Sequence, residues 1–86
     1  METVKFDYYG NGSDGTKLVH GKIYKAKATS GTPDLVTGKI REPLDIKPIL
    51  YRAARSGSLY SMWPQSDNGY GYRLPQHLDF IGGKPI

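Results

Sequence analysis

Eleven glycines and six prolines fall across 86 residues, and they interrupt the chain too often for long helices. No stretch carries a sustained 3.6-residue apolar period, while β-branched and aromatic residues are frequent, so an all-β architecture is expected. Residues 1–86 are read as a single domain, because a chain this short has one core at most. Folding at this size hides only about 60–65% of the unfolded chain's surface, so each large aromatic weighs heavily on stability. The absence of cysteine removes a disulfide framework and thiolate metal sites, which points to the cytoplasm. The opening METVKFDYYG is not patterned as a signal peptide, and no segment reaches the roughly 20 apolar residues needed to span a bilayer, so no membrane partner is expected.

Period-two alternation places the strands. Val4, Phe6 and Tyr8 alternate with Lys5, Asp7 and Tyr9, the pattern of a half-buried first strand, and the glycine-rich GNGSDGT, residues 10–16, follows as a loop. Residues 22–28, KIYKAKA, put Tyr24, Ala26 and Ala28 on one face and Ile23, Lys25 and Lys27 on the other. GTPD, residues 31–34, is a turn, residues 35–40 form a weaker strand, and REPLDIKP, residues 41–48, reads as an extended connection. Residues 49–54 and 59–63 flank Arg55-Ser56-Gly57-Ser58 as a β-hairpin. A second hairpin turns through QSDNG, residues 65–69, and returns along residues 70–74, with Met62 and Leu74 in the core. Residues 75–81 read as one 3-10 turn leading into a short last strand. Five or six short antiparallel strands of this kind hide their edges most simply by closing into a small barrel.

The two ends of the chain resemble SH3-like barrels. VKFDY, Val4 to Tyr8, is similar to the ALYDY opening strand of that fold; DGTKLVHGKIY, Asp14 to Tyr24, resembles the following loop and its turn into the second strand; GYRLPQHL, Gly71 to Leu78, resembles the closing G-x-x-P-x-x-Y segment, where a 3-10 turn precedes the final strand. The same plan, with a GKxY turn, occurs in short SH3-like proteins of bacteria and their phages. The resemblance implies a non-enzymatic binding module, accessory or host-interacting, that takes proline-rich peptides on an aromatic groove. Carried over by position, that groove uses Phe6, Tyr8, Pro75 and Leu78, the last standing where the family has Tyr. The family's loop acids, which pair with a ligand arginine, are represented by Asp14 alone.

Convergent groups for enzyme chemistry are scarce, and no cofactor signature is present. His20 and His77 lack metal-ligand spacing, Ser56, Ser58 and Ser61 surround a hairpin turn, and GNGSDG lacks the Gly-Lys-Ser/Thr of a phosphate-binding loop. Two binding surfaces remain. A protein-binding patch would combine Tyr8 and Tyr9 with Trp63, Tyr70, Tyr72 and Pro75, since exposed Tyr and Trp anchor interfaces; a homo-oligomer would use the same surface, and Trp63 has the alternative of covering a barrel end. The net charge of +4 is uneven, with nine cations against three acids between Lys17 and Arg55. A nucleic-acid surface would therefore set Lys25, Lys27, Lys39, Arg41, Arg52 and Arg55 against phosphates, with Tyr51, Tyr60 or Tyr72 stacking on bases.

Overall fold

The computed structural model describes residues 3–29, 32, 33, 35, 38, 48–65 and 71–86. Five strands form one antiparallel sheet: β1 (Thr3–Val4), β2 (Ile23–Ala28), β3 (Ile49–Ser56), β4 (Leu59–Pro64) and β5 (Leu78–Ile81), in the order β1-β5-β2-β3-β4. A 3-10 turn at Pro75–His77 leads directly into β5, with Pro entering at its first turn where a missing N–H costs nothing. The all-β expectation holds, as does the 3-10 turn near the C-terminus. Residues 36, 37, 39–47 and 66–70, which include most of the weak strand, of the extended connection and of the QSDNG turn, together with Tyr70, lie outside the described residues.

β2 ties the sheet together. Its N-terminal half pairs with β3, Ile23 opposite Arg52 and Ala26 opposite Ile49, and its C-terminal half pairs with β5, Ala26 opposite Phe80 and Ala28 opposite Leu78. Tyr24, Ala26 and Ala28 face inward and Lys25 and Lys27 outward, as alternation dictates. β3 and β4 form the expected hairpin, but the pairing runs to Ser56 opposite Leu59, so the turn is Gly57-Ser58 alone. Gly57 has a φ of 62° and Ser58 an ordinary φ, the pattern of a two-residue type II′ turn.

The core gathers aromatic and small residues. Phe6 meets Phe80 edge-on at a centroid distance of 4.6 Å, and Tyr24 closes the group at 5.8 Å from Phe80 and 6.5 Å from Phe6. Ala26 and Ala53, central in β2 and β3 and fully buried, leave room for these rings, and Met62 and Leu78 complete the packing. Burial pushes the Tyr24 hydroxyl above its ordinary value of 10.0, even though the Val19 N–H donates to its oxygen.

Two expectations are corrected. The first strand ends at Val4 rather than Tyr8, because the next backbone groups bond locally: the Ser13 N–H donates to the Lys5 carbonyl, the Asp7 N–H to the Asn11 carbonyl, and Phe6 bridges to Gly12. With β1 only two residues long, the sheet is not closed into a barrel, and β1 and β4 are its edges. The β4 edge is covered instead by irregular chain. The Tyr60 N–H donates to the Tyr8 carbonyl, and Met62 and Arg73 exchange two backbone hydrogen bonds.

Candidate functional site

Asp7 sets the site. Its carboxylate accepts the backbone N–H groups of Tyr9 (2.9 Å) and Asn11 (3.0 Å), while its carbonyl accepts the Gly10 N–H at 2.9 Å. An aspartate that bonds the chain two residues on folds it into a tight turn, so Tyr8 and Tyr9 project from the turn instead of alternating across a strand. Both are exposed, at 41% and 50%, with ring centroids 4.5 Å apart. A side-chain hydrogen bond with Tyr9 raises the Tyr8 hydroxyl above its ordinary value of 10.0.

Tyr8 lines a groove of about 420 Å³ together with Leu59, Ser61, Tyr72, Leu74 and the buried Tyr60. Tyr60 is pinned at both ends: its N–H donates to the Tyr8 carbonyl at 2.8 Å, and its hydroxyl to the Leu18 carbonyl at 3.2 Å. Tyr72 lies against Trp63 with centroids 4.6 Å apart and an interplanar angle of 35°, so the indole fixes one wall of the groove. Trp63 is itself 41% exposed, on the opposite side of β4 from the buried Met62.

Of the aromatic patch expected from sequence, Tyr8 and Tyr72 meet in this groove, Tyr9 adjoins Tyr8, and Trp63 backs Tyr72. Pro75 is a correction: it is fully buried beneath the start of the 3-10 turn, as are Phe6 and Leu78, so the carried-over peptide groove keeps only Tyr8 at the surface. Leu74 is half-buried and lines the groove rather than the core, and Leu59 is an exposed groove residue that was not anticipated. The signal for both was parity. Leu59 neighbours the inward Tyr60, and Leu74 shares the alternation of Tyr72. Parity also explains Arg73, buried between them, with its guanidinium donating to the Thr32 carbonyl at 3.0 Å.

Of the expected cations, Lys25, Lys27 and Arg52 share the outer side of the sheet, and Arg55 does not. Lys25 and Arg52 are exposed on the outer side of the sheet, where Arg52 lies opposite Ile23 on β2 and Trp63 on β4. Lys27 stands opposite Asp79, which also pairs with Lys5 at 2.7 Å. Arg55 belongs to the other side of β3, at the hairpin end, and Lys39 and Arg41 lie outside the described residues. Tyr51 and Tyr60 are buried and offer no stacking surface. Asp14 is engaged locally, its carboxylate accepting from the Thr16 hydroxyl and N–H, which hold it below the usual carboxylate range. His20 Nδ1 accepts the Arg55 N–H at 2.9 Å. Among the described residues no three His, Cys, Asp or Glu side chains cluster as metal ligands, and no helix is long and apolar enough to cross a membrane. No protein family, curated protein or solved structure matches the chain.

Proposed function

We propose that this chain is a non-enzymatic, SH3-like protein-interaction module that receives an extended segment of a partner protein in the groove between Tyr8 and Tyr72. One observation carries this reading. The described tyrosines divide into a buried set, Tyr24, Tyr51 and Tyr60, and an exposed or half-exposed set, Tyr8, Tyr9 and Tyr72, and members of the second set from distant parts of the sequence line one groove with Leu59 and Leu74. Rigid amphipathic rings around an apolar hollow are the usual anchors of a protein interface. Five antiparallel strands, a 3-10 turn before the last strand, and pairing of β1 with β5, which brings the two resembling ends together, support the SH3-like assignment. The cysteine-free sequence fits a cytoplasmic setting, and the short bacterial and phage proteins it resembles suggest an accessory or host-directed role.

Panning a random linear peptide library against the full chain tests the reading. Selected peptides are expected to lose binding in Tyr8→Ala and Tyr72→Ala while circular dichroism and thermal unfolding stay close to those of the parent protein. Failure to select any peptide, or undiminished binding by both variants, would refute it.

A second reading has its own observation: Arg52 lies in register with Trp63, which stacks on Tyr72, with Lys25 on the same outer face. Rings beside cations suit single-stranded nucleic acid. Binding of oligothymidylate that falls steeply with salt and is lost in Arg52→Gln, but not in Tyr8→Ala, would favour it.

A further inference from the structure

The groove has a charged neighbour. A second hollow of about 280 Å³ shares Tyr60 with it and takes Tyr9 where the groove takes Tyr8; Asn11, Lys17, Arg55 and Ser58 complete the polar part of its lining. Two cations line this hollow, and among the described residues no acid does. They come from separate elements, each held in place by its backbone. Lys17 is bridged to Asn11, and Arg55 lies opposite Tyr60 in the β3–β4 ladder with its N–H on His20 Nδ1.

Among the described residues neither cation has an ion-pair partner. The one ion pair among the described residues is Lys5 with Asp79, and the acids of the adjoining loop are occupied, Asp7 by Tyr9 and Asn11 and Asp14 by Thr16. Two like charges converging on one hollow repel each other, and an anion between them relieves that repulsion. The Asn11 amide and the Ser58 hydroxyl add hydrogen-bond donors beside them.

Building on the groove reading above, we infer that this hollow is a carboxylate subsite, and that the partner segment is acidic. Its apolar side chains lie in the Tyr8–Tyr72 groove, and an Asp or Glu side chain passes Tyr8 and Tyr9 to sit between Lys17 and Arg55. The polarity is the reverse of what the SH3-like resemblance implies, where acids of the domain meet an arginine of the ligand. Exposed Tyr9 forms the rim that separates the apolar and charged halves.

The test compares a peptide selected on the full chain with its counterpart in which every Asp and Glu is replaced by Asn and Gln. The acidic form is expected to bind about tenfold more tightly, the gain of one charge-assisted contact. That gap should close in Lys17→Gln and in the Lys17→Gln/Arg55→Gln double variant, and narrow with added salt. Both substitutions spare the backbone bonds that shape the hollow, and Lys17→Gln alone suffices should the double variant fail to fold. Backbone amide shifts at Asn11, Lys17 and Ser58 should move with the acidic peptide and not with its amide counterpart. Equal binding of the two forms, still abolished by Tyr72→Ala, would overturn the carboxylate subsite and leave the groove standing. Selection of no peptide would overturn both, and displacement of the acidic peptide by equimolar oligothymidylate would assign the two cations to phosphate instead.

Discussion

Gly10→Ala probes the packing beneath the groove. Gly10 has a φ of 83°, and a methyl group there would lie 2.7 Å from Cε1 and 2.8 Å from Cδ1 of Tyr60, and 3.3 Å from Cβ of Leu18. The ring has little freedom to retreat, because Tyr60 is buried and hydrogen-bonded at its N–H and its hydroxyl. Left-handed backbone costs a residue with a Cβ about 1–2 kcal/mol, and forcing an extra carbon into a packed site adds about 1–3 kcal/mol. Gly15→Ala supplies the control, since Gly15 has a φ of 86° with no atom within 4 Å of the added carbon. It should show the conformational cost alone. Urea unfolding at unchanged m-value should therefore find Gly10→Ala less stable than Gly15→Ala by about 1–3 kcal/mol. In thermal unfolding the gap corresponds to roughly 5–20 °C for a domain of this size. Equal destabilisation by the two substitutions would show that Tyr60 does not pack over the Asp7 turn, and would remove the floor from both hollows.

Tyr60→Phe removes the hydroxyl from the Leu18 carbonyl while keeping the ring, so it should cost about 1 kcal/mol in urea unfolding and leave selected peptides bound; an unchanged midpoint would mean that the contact contributes nothing. Asp14 has a lowered pKa, first through the Thr16 hydroxyl and then the Thr16 N–H, against an ordinary value of 3.8. The bonds to Thr16 are therefore fully present above 3.8 and lost as pH falls through the lower value of the folded state. A carboxyl carbon titration by NMR should place the Asp14 midpoint below 3.8, and a midpoint at or above 3.8 would refute the contact.

How much of this was legible in sequence depends on whether a local rule decided the outcome. Alternation in KIYKAKA decided β2, because a strand paired on both sides has no freedom to change face. The Ser-Gly-Ser segment marked the β3–β4 hairpin, although its two-residue turn became visible only in the register. In VKFDYYG two local rules competed. Alternation favoured a strand to Tyr8, whereas Asp7 followed three residues on by Gly10 is a turn signature, and the turn prevailed because the Asp7 side chain satisfies two N–H groups at once. Closure into a barrel followed from the need to protect edges, but β4 meets that need with one bond to the Tyr8 carbonyl and a bridge to Arg73. Tyrosine was the least legible residue type. Tyr51, Tyr60 and Tyr72 carry the same chemistry in the sequence; Tyr51 shares the inward face of β3 with Ala53 and Tyr60 that of β4 with Met62, while Tyr72 lies against the exposed Trp63.

That separation bears on which exposed rings call for a partner. The interior is filled by Phe6, Tyr24, Phe80, Tyr60 and Met62 over the alanines of β2 and β3, and it does not use Tyr8 or Tyr9. The Asp7 turn needs only their backbone, so any polar residue would serve at both positions with less apolar surface in water. Trp63 lies against Tyr72 as Tyr8 lies against Tyr9, so each of these exposed rings has an aromatic neighbour. The aromatic identity of Tyr8 and Tyr9 is accounted for by neither the turn nor the core. In the proposed reading the two rings serve an apolar groove on the Tyr8 side and a hollow lined by Lys17 and Arg55 on the Tyr9 side, the two halves of one binding surface.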